Sequence, residues 1–141
     1  MIFTFGSGIN VLALLASGVL SLVIGFLWYG PLFGKPWARH TGWTDEKVKQ
    51  VPGGTMALTY GLTFVAAVVQ ALVLTLFAHS LGAVTWTDGL LLGAVAGVGF
   101  TALGFATTHL FEHKPLGLWL IVSGYEVVYL AGAGILVSAW R

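Results

Sequence analysis

Four long runs of apolar residues, at 9–29, 56–79, 89–108 and 117–139, make up most of a 141-residue chain, and of its eleven charged side chains only Glu126 falls inside one of them. A helix rises about 1.5 Å per residue and a bilayer core is about 30 Å thick, so each run is long enough for one crossing. Backbone polar groups in hydrocarbon must find partners within their own segment, which makes helices the expectation. Residues 11–24 and 90–100 lack the alternation of a barrel strand. The fold class that follows is an all-α integral membrane protein, one four-helix transmembrane domain over residues 1–141 with a cytoplasmic loop at 30–55.

Composition excludes several classes. At 8% charged residues the chain falls far short of the roughly 25% usual in soluble domains, so lipid must cover much of it. Membrane lipids are therefore expected partners. A net charge of +1 gives no reason to expect nucleic acid, and the absence of cysteine excludes disulfides and thiolate chemistry. Residues 1–8 lack a basic n-region, so no cleavable signal is expected and the first span is expected to be retained.

Positive charge sets the expected orientation. Lys35, Arg39, Lys47 and Lys49 follow the first run and Lys114 follows the third, whereas the other side holds only Arg141 and the terminal amine. Both basic loops are then cytoplasmic and both termini outside, an N-out/C-out chain of the inner (plasma) membrane. Within the 30–55 loop, Thr44 is placed to cap a short helix with Asp45 and Glu46 in its first turn and Lys47 and Lys49 at its end. Pro52-Gly53-Gly54 is expected to break it before the second span.

The two cytoplasmic exits resemble each other. Gly25-Phe26 aligns with Gly104-Phe105 at an offset of 79, Leu32-Phe33 with Leu110-Phe111 at 78, and Lys35-Pro36 with Lys114-Pro115 at 79. Two readings stay open: a chain of two parallel two-helix repeats, or chance in a sequence rich in Gly, Leu and Phe. Small residues recur every four positions at Ala13, Ser17, Ser21 and Gly25, at Gly89, Gly93 and Gly97, and from Thr55 to His79, the spacing that lets helices pack closely in lipid. A homo-oligomer is expected.

Asn10, Gly25, the run Leu27-Trp28-Tyr29-Gly30-Pro31-Leu32-Phe33-Gly34-Lys35 and Trp37, with the later Tyr60-Gly61, Gly99-Phe100, Leu110-Phe111-Glu112 and Gly124-Tyr125, resemble the bacterial membrane family catalogued as domain of unknown function 1761. The resemblance covers nearly the whole chain. It implies a four-span membrane protein and supplies no activity.

Glu126 is the foremost candidate for function. A carboxyl near mid-membrane costs about 2.5–3.5 kcal/mol on insertion scales and calls for a polar partner, and Gln70 lies at similar depth in the second run. Asn10 at the outer end and His109 and Glu112 at the inner end complete a set of binding candidates, which forms a relay only where they share a face. His109-Leu110-Phe111-Glu112-His113 matches an inverted zinc-peptidase pattern, with His109 and His113 as candidate ligands on one helix face. No third ligand accompanies them, and no catalytic residue or cofactor is assigned. Three function classes follow: transport of a small solute, ion or lipid; a non-transporting scaffold or partner-binding subunit; and a zinc-dependent membrane enzyme.

Overall fold

The computed structural model describes residues 8–141. The expectation of an uncleaved start bears chiefly on residues 1–7, which lie outside the described residues. Seven α-helices follow in order: α1 (Val11–Leu27), α2 (Gly34–Thr41), α3 (Asp45–Gln50), α4 (Gly53–Leu81), α5 (Trp86–Ala96), α6 (Leu103–Phe111) and α7 (Leu116–Ala139). π-Helical turns at Trp28–Leu32 and Gly97–Ala102 prolong α1 and join α5 to α6. Four continuous stretches are long and apolar enough to cross a membrane: Val11–Leu32, Gly53–Leu81, Trp86–Phe111 and Leu116–Ala139.

Local chemistry explains the ends. Asn10 caps α1, its Oδ1 accepting from the amides of Leu12 and Ala13 at 3.0 and 3.2 Å, while its Nδ2 donates to the carbonyl of Trp140 at 3.2 Å. One side chain therefore closes the first helix and ties it to the last. Thr44 caps α3 by accepting from the Lys47 amide at 3.2 Å. Thr85 and Asp88 form a reciprocal capping box at the start of α5. Gly82 ends α4 at φ 69°, a left-handed turn that a residue without Cβ adopts most readily.

One expectation about a break is corrected. Gly53 and Gly54 lie in the first turn of α4, with Pro52 as its N-cap, so the break falls at Val51 and Pro52. Proline fits there because the first helical amides need no intrahelical partner. At the C-terminal end of the first span, Pro31 sits inside helix. It lacks an N–H and would crowd an α-helical turn, but the wider turn accommodates it, with the Phe33 amide donating to the Trp28 carbonyl at 2.8 Å.

α7 is the hub, packing against α5, α1 and α4, while α1 and α4 also pack together. The core is built from Leu14, Ala67, Ala71, Leu74, Tyr129, Leu130, Ala133 and Val137. The closest approach is between α5 and α7, which run antiparallel. A Cβ at Gly89 or Gly93 would overlap the main-chain carbonyl of Gly134 or Leu130, and one at Gly97 would lie 2.9 Å from the Cα of Val127. Burial of Ala13, Ser17 and Ser21 shows the four-residue ladder of α1 turned inward. In α4 the ladder spirals: Ala67, Ala71 and Thr75 are buried, whereas Thr55, Thr59 and Thr63 face outward. Each four-residue step drifts about 40° on a 3.6-residue helix. Outward-facing Phe26, Leu58, Leu62, Leu91, Phe100 and Leu110 leave the bundle with an apolar exterior, as a lipid-facing surface requires.

Candidate functional site

The bundle brings Glu126 and Gln70 together. α4 presents Gln70 and α7 presents Glu126 to the same seam, and Gln70 Nε2 donates to Glu126 Oε2 at 3.4 Å. That is longer than the usual 2.7–3.2 Å of an N–H···O bond, so the carboxyl is weakly held. Among the described residues it has no other hydrogen bond and no ion pair. Both side chains are half-buried.

Tyrosines fix the surroundings of the carboxyl. Tyr129, one helical turn beyond Glu126, is fully buried and its hydroxyl donates to the Ala67 carbonyl of α4 at 2.5 Å. Tyr125, adjacent in sequence, donates to the Ser21 carbonyl of α1 at 3.0 Å. The Tyr29 ring lies 5.4 Å from that of Tyr125 and 5.6 Å from that of Trp37, extending the aromatic cluster to the C-terminal end of the first span. Both hydroxyl protons of the α7 tyrosines are thus committed to main-chain acceptors, which leaves their oxygens only as acceptors. Ser21 Oγ, in the same region of α1, is buried without a hydrogen-bond partner.

The other sequence candidates lie elsewhere. Asn10 is occupied at the start of α1 as a cap and a tie to Trp140. His109 Nδ1 meets the Phe105 carbonyl at 2.8 Å, an acceptor, so that nitrogen carries the proton in the neutral ring; Nε2 is buried without a partner. Glu112 pairs with Lys114 at 2.6 Å. The Lys114 ammonium, by hydrogen bond and by charge, holds this exposed carboxyl below its ordinary pKa. No hydrogen bond connects Glu126 to His109, Glu112 or Asn10 among the described residues.

The helical face expected to hold His109 and His113 together is not formed. α6 stops at Phe111, and His113 takes a left-handed conformation with φ 55° in the turn before α7. Among the described residues no three His, Asp or Glu side chains converge as a metal site would require.

The tyrosine ring around Glu126 was not anticipated. Its signal was present at positions 125 and 129, adjacent to and one turn from the glutamate on a helix, and at 29 beside Trp28. What hid it was tertiary: nothing in sequence says that α1 and α4 offer carbonyls to those hydroxyls.

Three helical stretches long and apolar enough to cross a membrane, packed around a fourth, α7, define a multi-pass α-helical membrane protein. The family model described as "Protein of unknown function (DUF1761)" matches residues 12–138, and the chain belongs to that family. No curated protein and no solved structure matches it.

Proposed function

We propose that this chain is a transport subunit for a small solute or ion, working as a homo-oligomer in the inner membrane with both termini outside, and that its activity is linked to protonation of Glu126. One observation carries the reading: an intramembrane carboxyl faces a single amide across a seam between two helices. Gln70 can serve both states of that carboxyl. Ionised Glu126 accepts from the amide nitrogen, and protonated Glu126 donates to the amide oxygen after the amide turns over. Loading and release of a proton then change the charge in the membrane while α4 and α7 remain in contact. An ionisable group held this way is a functional candidate in a membrane helix, where an unused charge is costly.

The test is flux in liposomes loaded with a pH-sensitive dye. Wild-type protein is expected to dissipate an imposed proton gradient, and Glu126→Gln, which retains the shape and an amide for Gln70, is expected to abolish that flux with assembly intact. No flux from the wild type, or equal flux from both, removes the reading.

A second reading is favoured by one feature, the full exposure of residues 41–50 beside the basic residues of the inner loop. A scaffold would present this loop to an acidic partner. A stoichiometric partner that is lost from pull-downs when Lys35, Arg39, Lys47 and Lys49 are neutralised would establish it; a clean pull-down would count against it.

A further inference from the structure

Beyond the Gln70 face of Glu126, α7 has another side, and there the bundle opens. Through its outer half the third span lies backbone-to-backbone on α7 at Gly89, Gly93 and Gly97. The π-helical turn Gly97–Ala102 then intervenes, and past it α6 makes few contacts with α7. A Cβ at Gly104 would meet nothing within 4 Å. The gap is a lateral cavity of about 320 Å³ walled by Trp28, Val98, Ala102, Leu120 and Val127 among others, at the lower end of the roughly 300–1,000 Å³ of small-molecule sites.

Two indoles hold the gap in shape. Trp119 Nε1 donates to the Ala102 carbonyl at 2.8 Å, bracing α7 against the third span, and Trp28 Nε1 donates to the Ile121 carbonyl at 2.8 Å. Ser123, 4% exposed, lines the same cavity, and its buried Oγ has no hydrogen-bond partner. Buried Ser17 and Thr75 instead donate to the carbonyl four residues back, at 2.8 and 2.9 Å. Trp119 also lines a second cavity of about 220 Å³ that runs to His109, Leu116 and Lys114 at the inner membrane exit. An apolar cleft on the lipid-facing surface and a charged recess therefore lie on one seam, with Trp119 lining both.

We propose that this seam binds one phosphatidylethanolamine molecule, with an acyl chain between the third span and α7 and the headgroup at Lys114 and Glu112. Its opening along the lipid-facing surface selects a ligand already dissolved in the membrane, and the charges at the mouth select the headgroup. Lys114 lines the cavity, and Glu112 neutralises it at 2.6 Å. A purely anionic headgroup meets a carboxylate there. A headgroup carrying phosphate and a primary ammonium satisfies both members of the pair, phosphate on the Lys114 ammonium and ammonium on the Glu112 carboxylate. Choline matches the charge but has no N–H to donate. The site does not depend on the reading of Glu126, which faces Gln70 on α4.

The experiment is native mass spectrometry of the full chain in non-ionic detergent, titrated separately with phosphatidylethanolamine, phosphatidylcholine and phosphatidylglycerol of identical chains. One phosphatidylethanolamine per chain is expected at about fivefold lower concentration than either competitor, the discrimination that one charge-assisted hydrogen bond supplies against phosphatidylcholine and one well-placed charge supplies against phosphatidylglycerol. Val128→Trp fills the cleft from a position already 42% exposed; it is expected to remove the bound lipid while the circular dichroism of the helices is unchanged. Glu112→Lys, on an exposed turn, is expected to move the preference to phosphatidylglycerol. Equal binding of all three lipids, retention of lipid by Val128→Trp, or an unchanged preference in Glu112→Lys overturns the proposal.

Discussion

The third span meets α7 in two different ways along its length. In its N-terminal half Gly89, Gly93 and Gly97 have no side chain to hold the helices apart, and the seam closes until a Cβ at any of them would run into the α7 backbone. In the other half Trp119 alone spans the gap with a hydrogen bond, Trp28 of the first span walls it while bonded to α7, and a cavity remains. Both halves are apolar, so hydrophobicity does not distinguish them. What differs is how closely the backbones can approach, and in a membrane that decides whether protein or lipid fills the seam.

The comparison can be broken most severely in the closed half. Gly93→Leu forces a side chain into the Leu130 carbonyl and is expected to cost about 3 kcal/mol or more, read as loss of the folded band or as accelerated unfolding in mixed detergent. Gly104→Leu, in the open half, is expected to stay within about 0.5 kcal/mol of wild type. Similar losses in both would show that the two seams are packed alike.

Tyr129→Phe probes the tie between α7 and α4. Removing the hydroxyl leaves the buried Ala67 carbonyl without its side-chain donor, and a loss of about 1–2 kcal/mol is expected from the same unfolding assay. Trp119→Phe tests the brace of the open half, where loss of the bond to the Ala102 carbonyl is expected to cost about 1 kcal/mol. Spin labels on α6 and α7 should report a broader distance distribution in that variant, while labels on α5 and α7 report no change. A change on α5 instead would place the brace in the wrong half.

The smallest effect is electrostatic. The Glu112 carboxyl has a folded-state pKa below its ordinary 4.5 because of Lys114, so its contribution to stability is complete above that ordinary value and is lost as pH falls through the lowered one. The pair is exposed, and added salt should shrink the effect. A stability–pH slope on the acid side of 4.5 that disappears in Lys114→Ala is the expected outcome. An identical slope in the variant would assign it to another group.

Much of the fold was legible because membrane crossing is dictated by run length and charge exclusion, which a sequence displays directly. The four spans and the Thr44 cap needed no tertiary knowledge. The start of α4 was misread because Gly53 and Gly54 look like breakers, yet in a first turn they cost little when the long apolar helix behind them provides the stability. The contact of Glu126 with Gln70 was approachable from depth alone. The tyrosine ring and the open seam were not, because each depends on which faces of three helices meet. His113 failed as a helical partner of His109 because α6 ends two residues before it, at a boundary that composition marks only loosely.

The π-helical turn at Trp28–Leu32 has a consequence for helical phase. A π turn accommodates one residue more than an α turn, so it is where a helix absorbs a single insertion without losing its span. Leu32 follows Gly25 by seven positions, whereas Leu110 follows Gly104 by six. The longer spacing falls where the first span widens, Trp28–Leu32, whereas residues 104–110 lie in ordinary α-helix. Deleting one residue there should restore α geometry and leave the side chains beyond it, Lys35 and Trp37 among them, on the faces they now occupy, whereas the same deletion from an ordinary α-helical stretch turns everything beyond it by about 100°.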